Sequence, residues 1–159
     1  MKRYQYTVKK PISCCGIGLH SGKPINLTIL PAEENTGVKF IRSDLGRKAM
    51  VPAYMNRVVN TMLATTIAED DVKVATTEHL MAALSGMGID NAVVEIDEAE
   101  IPIMDGSAGP FVCLLKKAGS QRQKATKKLL KITKELTFGE GEKKIRILPY
   151  NGFKITCEI

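Results

Sequence analysis

The pattern of apolar and polar positions along the chain predicts a mixture of strands and helices. Apolar residues alternate with polar ones, or form short continuous runs, between segments rich in glycine, proline and asparagine, which is typical of strands. On this basis, strands are predicted at residues 4–12, 25–30, 38–42, 92–96, 129–138, 143–148 and 153–159. The segment 14–22 is rich in glycine and is predicted to break regular structure.

The clearest helical pattern lies in the segment 76–88. Its apolar side chains recur at intervals of three and four residues, at Leu80, Ala83, Leu84 and Met87. This spacing places them on one face of an α-helix that packs on a core. Thr77 is the predicted N-cap. A second helix is predicted to start at Ser107 or Gly109, because Pro110 suits a first helical turn, and to end near Lys117.

The first turn of the predicted helix at 76–88 carries two residues with chemical potential, Glu78 and His79. The positive end of a helix dipole favours a charged carboxylate and a neutral imidazole. A neutral imidazole can bind a metal ion, and an adjacent carboxylate can act as a base. The alternative interpretation is a helix start that holds two ordinary polar residues.

A weak internal repeat bears on the domain organisation. Strand, proline-containing turn, glycine and strand follow one another at residues 29–41 and again at 147–155. Either a duplication or β-propensity combined with turn chemistry accounts for this match. We expect a first α+β domain at 1–122, a basic linker at 123–128 and the opening strands of an incomplete second domain at 129–159. Strands after residue 128 are then expected to lack covering helices.

The composition is that of a globular protein that stays out of the membrane. Of the 159 residues, 44% are hydrophobic and 25% are charged. No apolar run approaches the roughly 20 residues of a membrane span, and the N-terminus lacks the apolar segment of a signal peptide. A cytoplasmic location is therefore the expectation. Four cysteines without a recognisable spacing are expected to be reduced thiols.

The formal net charge of +6 is concentrated in one stretch. Residues 106–134 contain no acidic residue but include Lys116, Lys117, Arg122, Lys124, Lys127, Lys128, Lys131 and Lys134. Such a stretch can be a solvated linker, or can attract an anionic membrane surface or a nucleic acid. A basic, non-enzymatic nucleic-acid-binding α+β domain is thus an alternative function. No aromatic residues interleave the lysines, so nucleic acid is not the expected partner.

The residues alone do not complete a metal site. A catalytic zinc needs three protein ligands and an open position. The chain has two histidines, His20 and His79, and contains no H-E-x-x-H motif. Either residues outside this chain complete the site, or His79 is not a ligand.

Five motifs occur in a fixed order along the chain. They are GIGLHSG at 16–22, NTML at 60–63, TEHLMAAL at 77–84, GIDN at 88–91 and EIPIMDGS at 100–107. The series closely resembles the UDP-3-O-acyl-N-acetylglucosamine deacetylase family, the zinc amidases of lipid A biosynthesis, over essentially the whole chain. The resemblance implies an α+β fold of two similar domains, each a two-layer sandwich of a sheet on helices, with the second copy truncated here.

The resemblance also implies roles for particular residues. It makes Glu78 the general base and His79 one ligand of a single zinc ion, the family's cofactor. It places His20, Met62 and Leu63 at the substrate, UDP-3-O-acyl-N-acetylglucosamine, near the start of the acyl-chain passage. The family's other two zinc ligands lie in the second domain, beyond the present sequence. We therefore expect a zinc-dependent deacetylase fragment that is incomplete and inactive alone.

Two ordinary interpretations stay open for the implied substrate residues. A loop histidine such as His20 can simply be solvated, and Met62 and Leu63 can be core residues.

Overall fold

The computed structural model describes residues 3–45 and 49–158. Outside the described residues lie residues 1–2 and 46–48 of the predicted first domain and residue 159 of the last predicted strand. The chain divides between Lys127 and Lys128 into two compact units. We call the part up to Lys127 unit 1 and the part from Lys128 unit 2.

The described residues of unit 1 form ten strands and two α-helices. In chain order they are β1 (Tyr4–Val8), β2 (Ile12–Ile17), β3 (Pro24–Pro31), β4 (Val38–Arg42), β5 (Ala49–Pro52), β6 (Val58–Asn60), β7 (Thr66–Glu69), β8 (Val72–Val74), α1 (Glu78–Gly86), β9 (Ala92–Ile96), α2 (Gly109–Ala118) and β10 (Ser120–Thr126). The predicted α+β class is confirmed.

A five-stranded sheet forms the larger layer of unit 1. Its strand order is β2-β3-β9-β4-β5, with β4 and β9 parallel and the other neighbours antiparallel. Along β3, Ile25, Leu27 and Ile29 are buried and alternate with more exposed residues, because successive side chains of a strand point to opposite faces. Leu27 pairs with Ile96 on β9, so the buried side chains share one apolar face.

The two helices cover this apolar face. The side chains of Leu80, Ala83 and Leu84 on α1 are buried, as the helical spacing predicts. They join one hydrophobic cluster with the sheet and with the buried side chains of α2, which are Phe111, Leu115 and Ala118. Burying each large apolar side chain contributes about 1.5–3 kcal/mol. Unit 1 therefore has the predicted arrangement of helices on a sheet.

Two strands extend into segments that are explicitly predicted to be irregular, the glycine-rich segment 14–22 and the linker 123–128. Residues 14–17 belong to β2, where they pair antiparallel with β3; Gly16 also permits a close approach, since a Cβ there would lie 2.7 Å from the Cβ of Pro102. Residues 123–126 of the predicted linker belong to β10, which pairs antiparallel with β1. The linker prediction is therefore wrong for these residues, because main-chain pairing, and not an apolar pattern, makes them a strand.

Unit 2 is an antiparallel hairpin of β11 (Leu136–Glu140) and β12 (Lys143–Ile147). One face carries the paired residues Leu136 and Ile147 and the paired residues Phe138 and Ile145, and all four side chains are exposed. Within residues 128–158 the structure contains no helix. Residues 129–135 and 153–158 do not form the strands that their composition predicts, because neither segment pairs with a described strand.

Candidate functional site

The start of α1 is tied to the loop at residues 61–65. Thr77 does not act as the predicted side-chain cap: its backbone is helical, with φ −78° and ψ −17°, and its hydroxyl makes no capping hydrogen bond. Instead, both the hydroxyl and the amide of Thr77 donate to the carbonyl oxygen of Thr65, at 3.1 and 3.2 Å. The threonine therefore fixes the loop to the helix.

Thr65 also orients the carboxylate of Glu78. The amide of Thr65 donates to Oε2 of Glu78 at 3.0 Å. Glu78 is half-buried, and its Oε1 accepts no hydrogen bond from any described residue. The main chain of one loop residue thus holds Thr77 and Glu78 together and leaves one carboxylate oxygen unpaired.

An apolar groove of about 180 Å³ lies beside Glu78. Its lining residues are Ala53, Tyr54, Met55, Val58, Thr65, Ile67, Thr77, Glu78 and Met81. Most of these side chains are apolar, so the carboxylate of Glu78 meets a hydrocarbon surface on this side. A carboxylate beside such a groove can act on the polar part of a molecule whose apolar part lies in the groove.

His79 follows Glu78 in the first turn and is half-buried. Across residues 3–45 and 49–158, no three or more histidine, cysteine, aspartate or glutamate side chains cluster in a way that could hold a metal ion. A neutral imidazole such as that of His79 can supply one ligand, but the residues present do not fit a complete catalytic zinc site, which takes three protein ligands. No reaction step through a metal follows from this geometry.

Met62 and Leu63 lie in the same loop as Thr65 and face solvent. Met62 is 80% exposed and Leu63 is 89% exposed, so the interpretation of both as core residues is wrong. The amide of Met62 donates to Oδ1 of Asn60 at 2.9 Å. The contact between Thr65 and Glu78 ties this loop, with its two exposed apolar side chains, to the start of α1.

His20 is exposed in the glycine-rich loop that follows β2. The side chain of Glu100 lies beneath this loop. Its Oε1 accepts from the amide of His20 and its Oε2 from the amide of Ser21, both at 3.0 Å, and the hydroxyl of Thr76 donates to Oε1 at 3.1 Å. Burial raises the pKa of the Glu100 carboxyl, but these hydrogen bonds outweigh burial and leave the pKa below its ordinary value.

The geometry thus joins the predicted site residues in two groups. One group consists of Glu78, with His79 beside it, and the loop that carries Met62 and Leu63. The other consists of the His20 loop and Thr76, joined through Glu100, which sequence reasoning had not selected. The signal for Glu100 was a carboxylate at the edge of the apolar run 101–104, because a buried charge requires hydrogen-bond partners.

Comparison with known families gives a match over residues 5–159 to LpxC, described as UDP-3-O-acyl N-acetylglycosamine deacetylase. The chain belongs to this family. Of the family's proteins, the UDP-3-O-acyl-N-acetylglucosamine deacetylase of Cellvibrio japonicus is 50% identical over 155 residues, which are 98% of this chain and 51% of the relative. The protein of the same name from Shewanella halifaxensis is 49% identical over 157 residues, with the same coverage of 98% and 51%. The chain spans about half the length of these curated relatives.

The basic stretch of this family member is partly engaged within unit 1. The ammonium group of Lys127 lies 2.9 Å from Oδ1 of Asp90 and donates to the carbonyl oxygen of Gly88 at 3.2 Å. The guanidinium carbon of Arg122 lies 4.6 Å from the centre of the Tyr4 ring. In the part of the chain that the structure describes, neither α-helix has the length and apolar character needed to cross a bilayer.

Proposed function

We propose that this chain takes part in the zinc-dependent deacetylation of UDP-3-O-acyl-N-acetylglucosamine in lipid A biosynthesis. Glu78 is the general base and His79 is one zinc ligand. The observation that carries the proposal is the oriented carboxylate of Glu78 at the start of α1, held by the amide of Thr65 at 3.0 Å. Membership of the deacetylase family supports the reaction type.

The hydrogen bonding of Glu78 supports its proposed role. A general base needs an acceptor oxygen that points at the proton it removes. Thr65 holds Oε2, which fixes the direction of the carboxylate, while Oε1 stays available to take a proton from a water molecule. The same carboxyl group can then pass the proton to the amine that leaves.

The metal site requires more than this chain's described residues. Because those residues contain no cluster of three candidate ligands, His79 needs partners from elsewhere. The proposal places these partners in the half of the relatives that this chain does not match, since the chain covers 51% of each of them. His79 then contributes an imidazole nitrogen to a site shared between the two halves.

The substrate is proposed to lie with its acyl chain along the apolar groove beside Glu78. Met62 and Leu63 are exposed on the adjoining loop and would contact the start of the acyl chain, while His20 would face the polar part of the substrate. The proposed compartment is the cytoplasm. Unit 1 and unit 2 are proposed to be a first α+β domain and the opening strands of a second.

The test is a chimera in which the 159 residues replace the matching half of the Cellvibrio japonicus relative. Release of acetate from UDP-3-O-acyl-N-acetylglucosamine and bound zinc are both measured. We expect Glu78→Gln to lower kcat by about 100-fold to 10,000-fold while zinc stays bound. We expect His79→Ala to remove the zinc.

The matched control is Glu98→Gln, which replaces a surface glutamate that pairs with Lys23 at 3.0 Å. This variant should keep the activity of the parent chimera. A parent chimera that binds zinc without releasing acetate would contradict the proposed reaction. A Glu78→Gln variant with unchanged kcat would exclude Glu78 as the base.

A further inference from the structure

Glu100 is a buried carboxylate with no cation within salt-bridge distance among the described residues. The residue is only 3% exposed. A buried charge is costly unless hydrogen bonds replace its hydration. For Glu100 the donors come from two separate segments: the amides of His20 and Ser21 on one side and the hydroxyl of Thr76 on the other. The carboxylate therefore bridges these segments.

The His20 loop is shaped around this carboxylate. A Cβ at Gly18 would collide with Oε2 of Glu100 and with Oγ of Ser21, so only glycine lets the loop close this tightly. The amide of Gly22 donates to the carbonyl oxygen of Gly18 at 3.0 Å, and the amide of Gly18 donates to the carbonyl oxygen of Lys23, also at 3.0 Å. The turn is thus closed by its own main chain and seated on Glu100.

The other segment holds an unfavourable backbone conformation. Thr76 has φ +58° and is 1% exposed, and a β-branched residue rarely adopts a positive φ. Such a conformation persists only where surrounding contacts impose it. The Glu100 bond is one of these contacts, and the amide of Ile101 donates to the carbonyl oxygen of Ala75 at 3.0 Å as another. The direction of the chain at Thr76 determines where α1 begins, two residues later.

We infer that Glu100 is a positioning residue that holds the His20 loop against the start of α1 and thereby fixes His20 relative to Glu78 and His79. Oε1 of Glu100 accepts both the amide of His20 and the hydroxyl of Thr76, so one atom couples the two segments. The functional meaning of this coupling rests on the proposed function. The coupling itself is a property of the fold and is measured without substrate or metal.

The first test is Glu100→Gln in the 159-residue chain, followed by NMR of backbone amides. The substitution keeps the shape but turns one acceptor oxygen into a donor that faces another donor. We expect the amides of His20 and Ser21 to exchange with solvent about tenfold faster or more, because each loses a charge-assisted hydrogen bond. The amide signals of residues 77–79 should shift in the same variant.

Glu98→Gln is the matched control, because Glu98 lies two residues away but pairs with Lys23 at the surface. It should leave all of these amide signals in place. If Glu100→Gln alters the loop amides but leaves residues 77–79 unchanged, the coupling is overturned and Glu100 only anchors the loop. Because this readout involves no catalysis, failure of the proposed deacetylation would not affect it.

A second pair of variants tests the coupling from the other side and does not depend on the folding of Glu100→Gln. Thr76→Val removes the hydroxyl and keeps the branched shape, whereas Thr76→Ser keeps the hydroxyl. We expect Thr76→Val to shift the amide signals of His20 and Ser21, although Thr76 donates its hydroxyl to neither residue in the described structure but to Glu100, and we expect Thr76→Ser to keep them as in the parent. Equal signals in the two variants would overturn the inference.

Discussion

Asn91 offers a quantitative test of what joins the outer strands of unit 1 to its main sheet. It is 1% exposed. Its Nδ2 donates to the Oε1 atoms of Gln5 on β1 and Gln123 on β10, at 2.9 and 2.7 Å. Its Oδ1 accepts from the amide of Gly37, just before β4, at 2.9 Å. One side chain therefore connects three segments that are far apart in sequence.

The substitution Asn91→Ala removes all three hydrogen bonds and adds nothing in their place. Each ordinary hydrogen bond contributes about 1 kcal/mol net, and a buried polar group left without a partner costs about 1–3 kcal/mol. The amide of half-buried Gly37 loses its acceptor, and Gln5 and Gln123 each lose a donor. We therefore expect the free energy of unfolding to fall by about 3 kcal/mol, a large share of the 5–15 kcal/mol typical of a domain.

Urea unfolding followed by far-UV circular dichroism measures this loss. Asn26→Ala is the matched control, because Asn26 also donates its side-chain amide, to Oδ2 of Asp97 at 2.7 Å, but does so at an exposed position. The control should cost about 0.5 kcal/mol or less, since water replaces the lost partner. If the two variants lose similar stability, the buried amide network does not hold the outer strands.

Two further predictions concern an ion pair and the metal. Asp44→Asn should lower stability at pH 7 by about 1 kcal/mol, because the pKa of Asp44 is held below 3.8 by its hydrogen bond to Arg42. Because the pKa is lowered, this contribution to stability is present above pH 3.8 and is lost as the pH falls through the folded-state pKa. The urea midpoints of the variant and the parent should therefore converge in acid. A constant difference between the two midpoints would contradict this. The 159-residue chain alone should bind zinc weakly and release no measurable acetate, because its described residues hold no cluster of three ligands; tight one-to-one binding by calorimetry, together with turnover, would refute it.

The elements that the sequence predicts well are those whose pattern lies within one element. Leu80, Ala83 and Leu84 repeat at helical spacing and are buried on α1. β10 was not predicted because the residues that make it a strand lie in other elements. Its main chain pairs with β1, and Gln123 forms hydrogen bonds with Asn91 and with the carbonyl oxygen of Ala32. A polar strand of this kind looks like a linker until its partners are known.

The candidate site divides in the same way. Glu78 and His79 stand next to each other at a helix start, so a local pattern was enough to select them. Glu100 acts on residues that precede it by 80, 79 and 24 positions, and no spacing rule links such residues. Thr77 fits the composition of an N-cap, but its hydroxyl donates to Thr65, a contact that only the folded loop provides.

These tertiary contacts position the first turn of α1. A threonine that capped its own helix would satisfy the helix amides and leave the loop at 61–65 without this anchor. Here the loop carbonyl of Thr65 accepts from Thr77 while its amide orients Glu78. Upstream, Thr76 keeps a positive φ and donates to Glu100. Thr77 therefore makes no capping bond to its own helix, and the contacts with the loop instead fix the direction of the Glu78 carboxylate relative to the groove beside it.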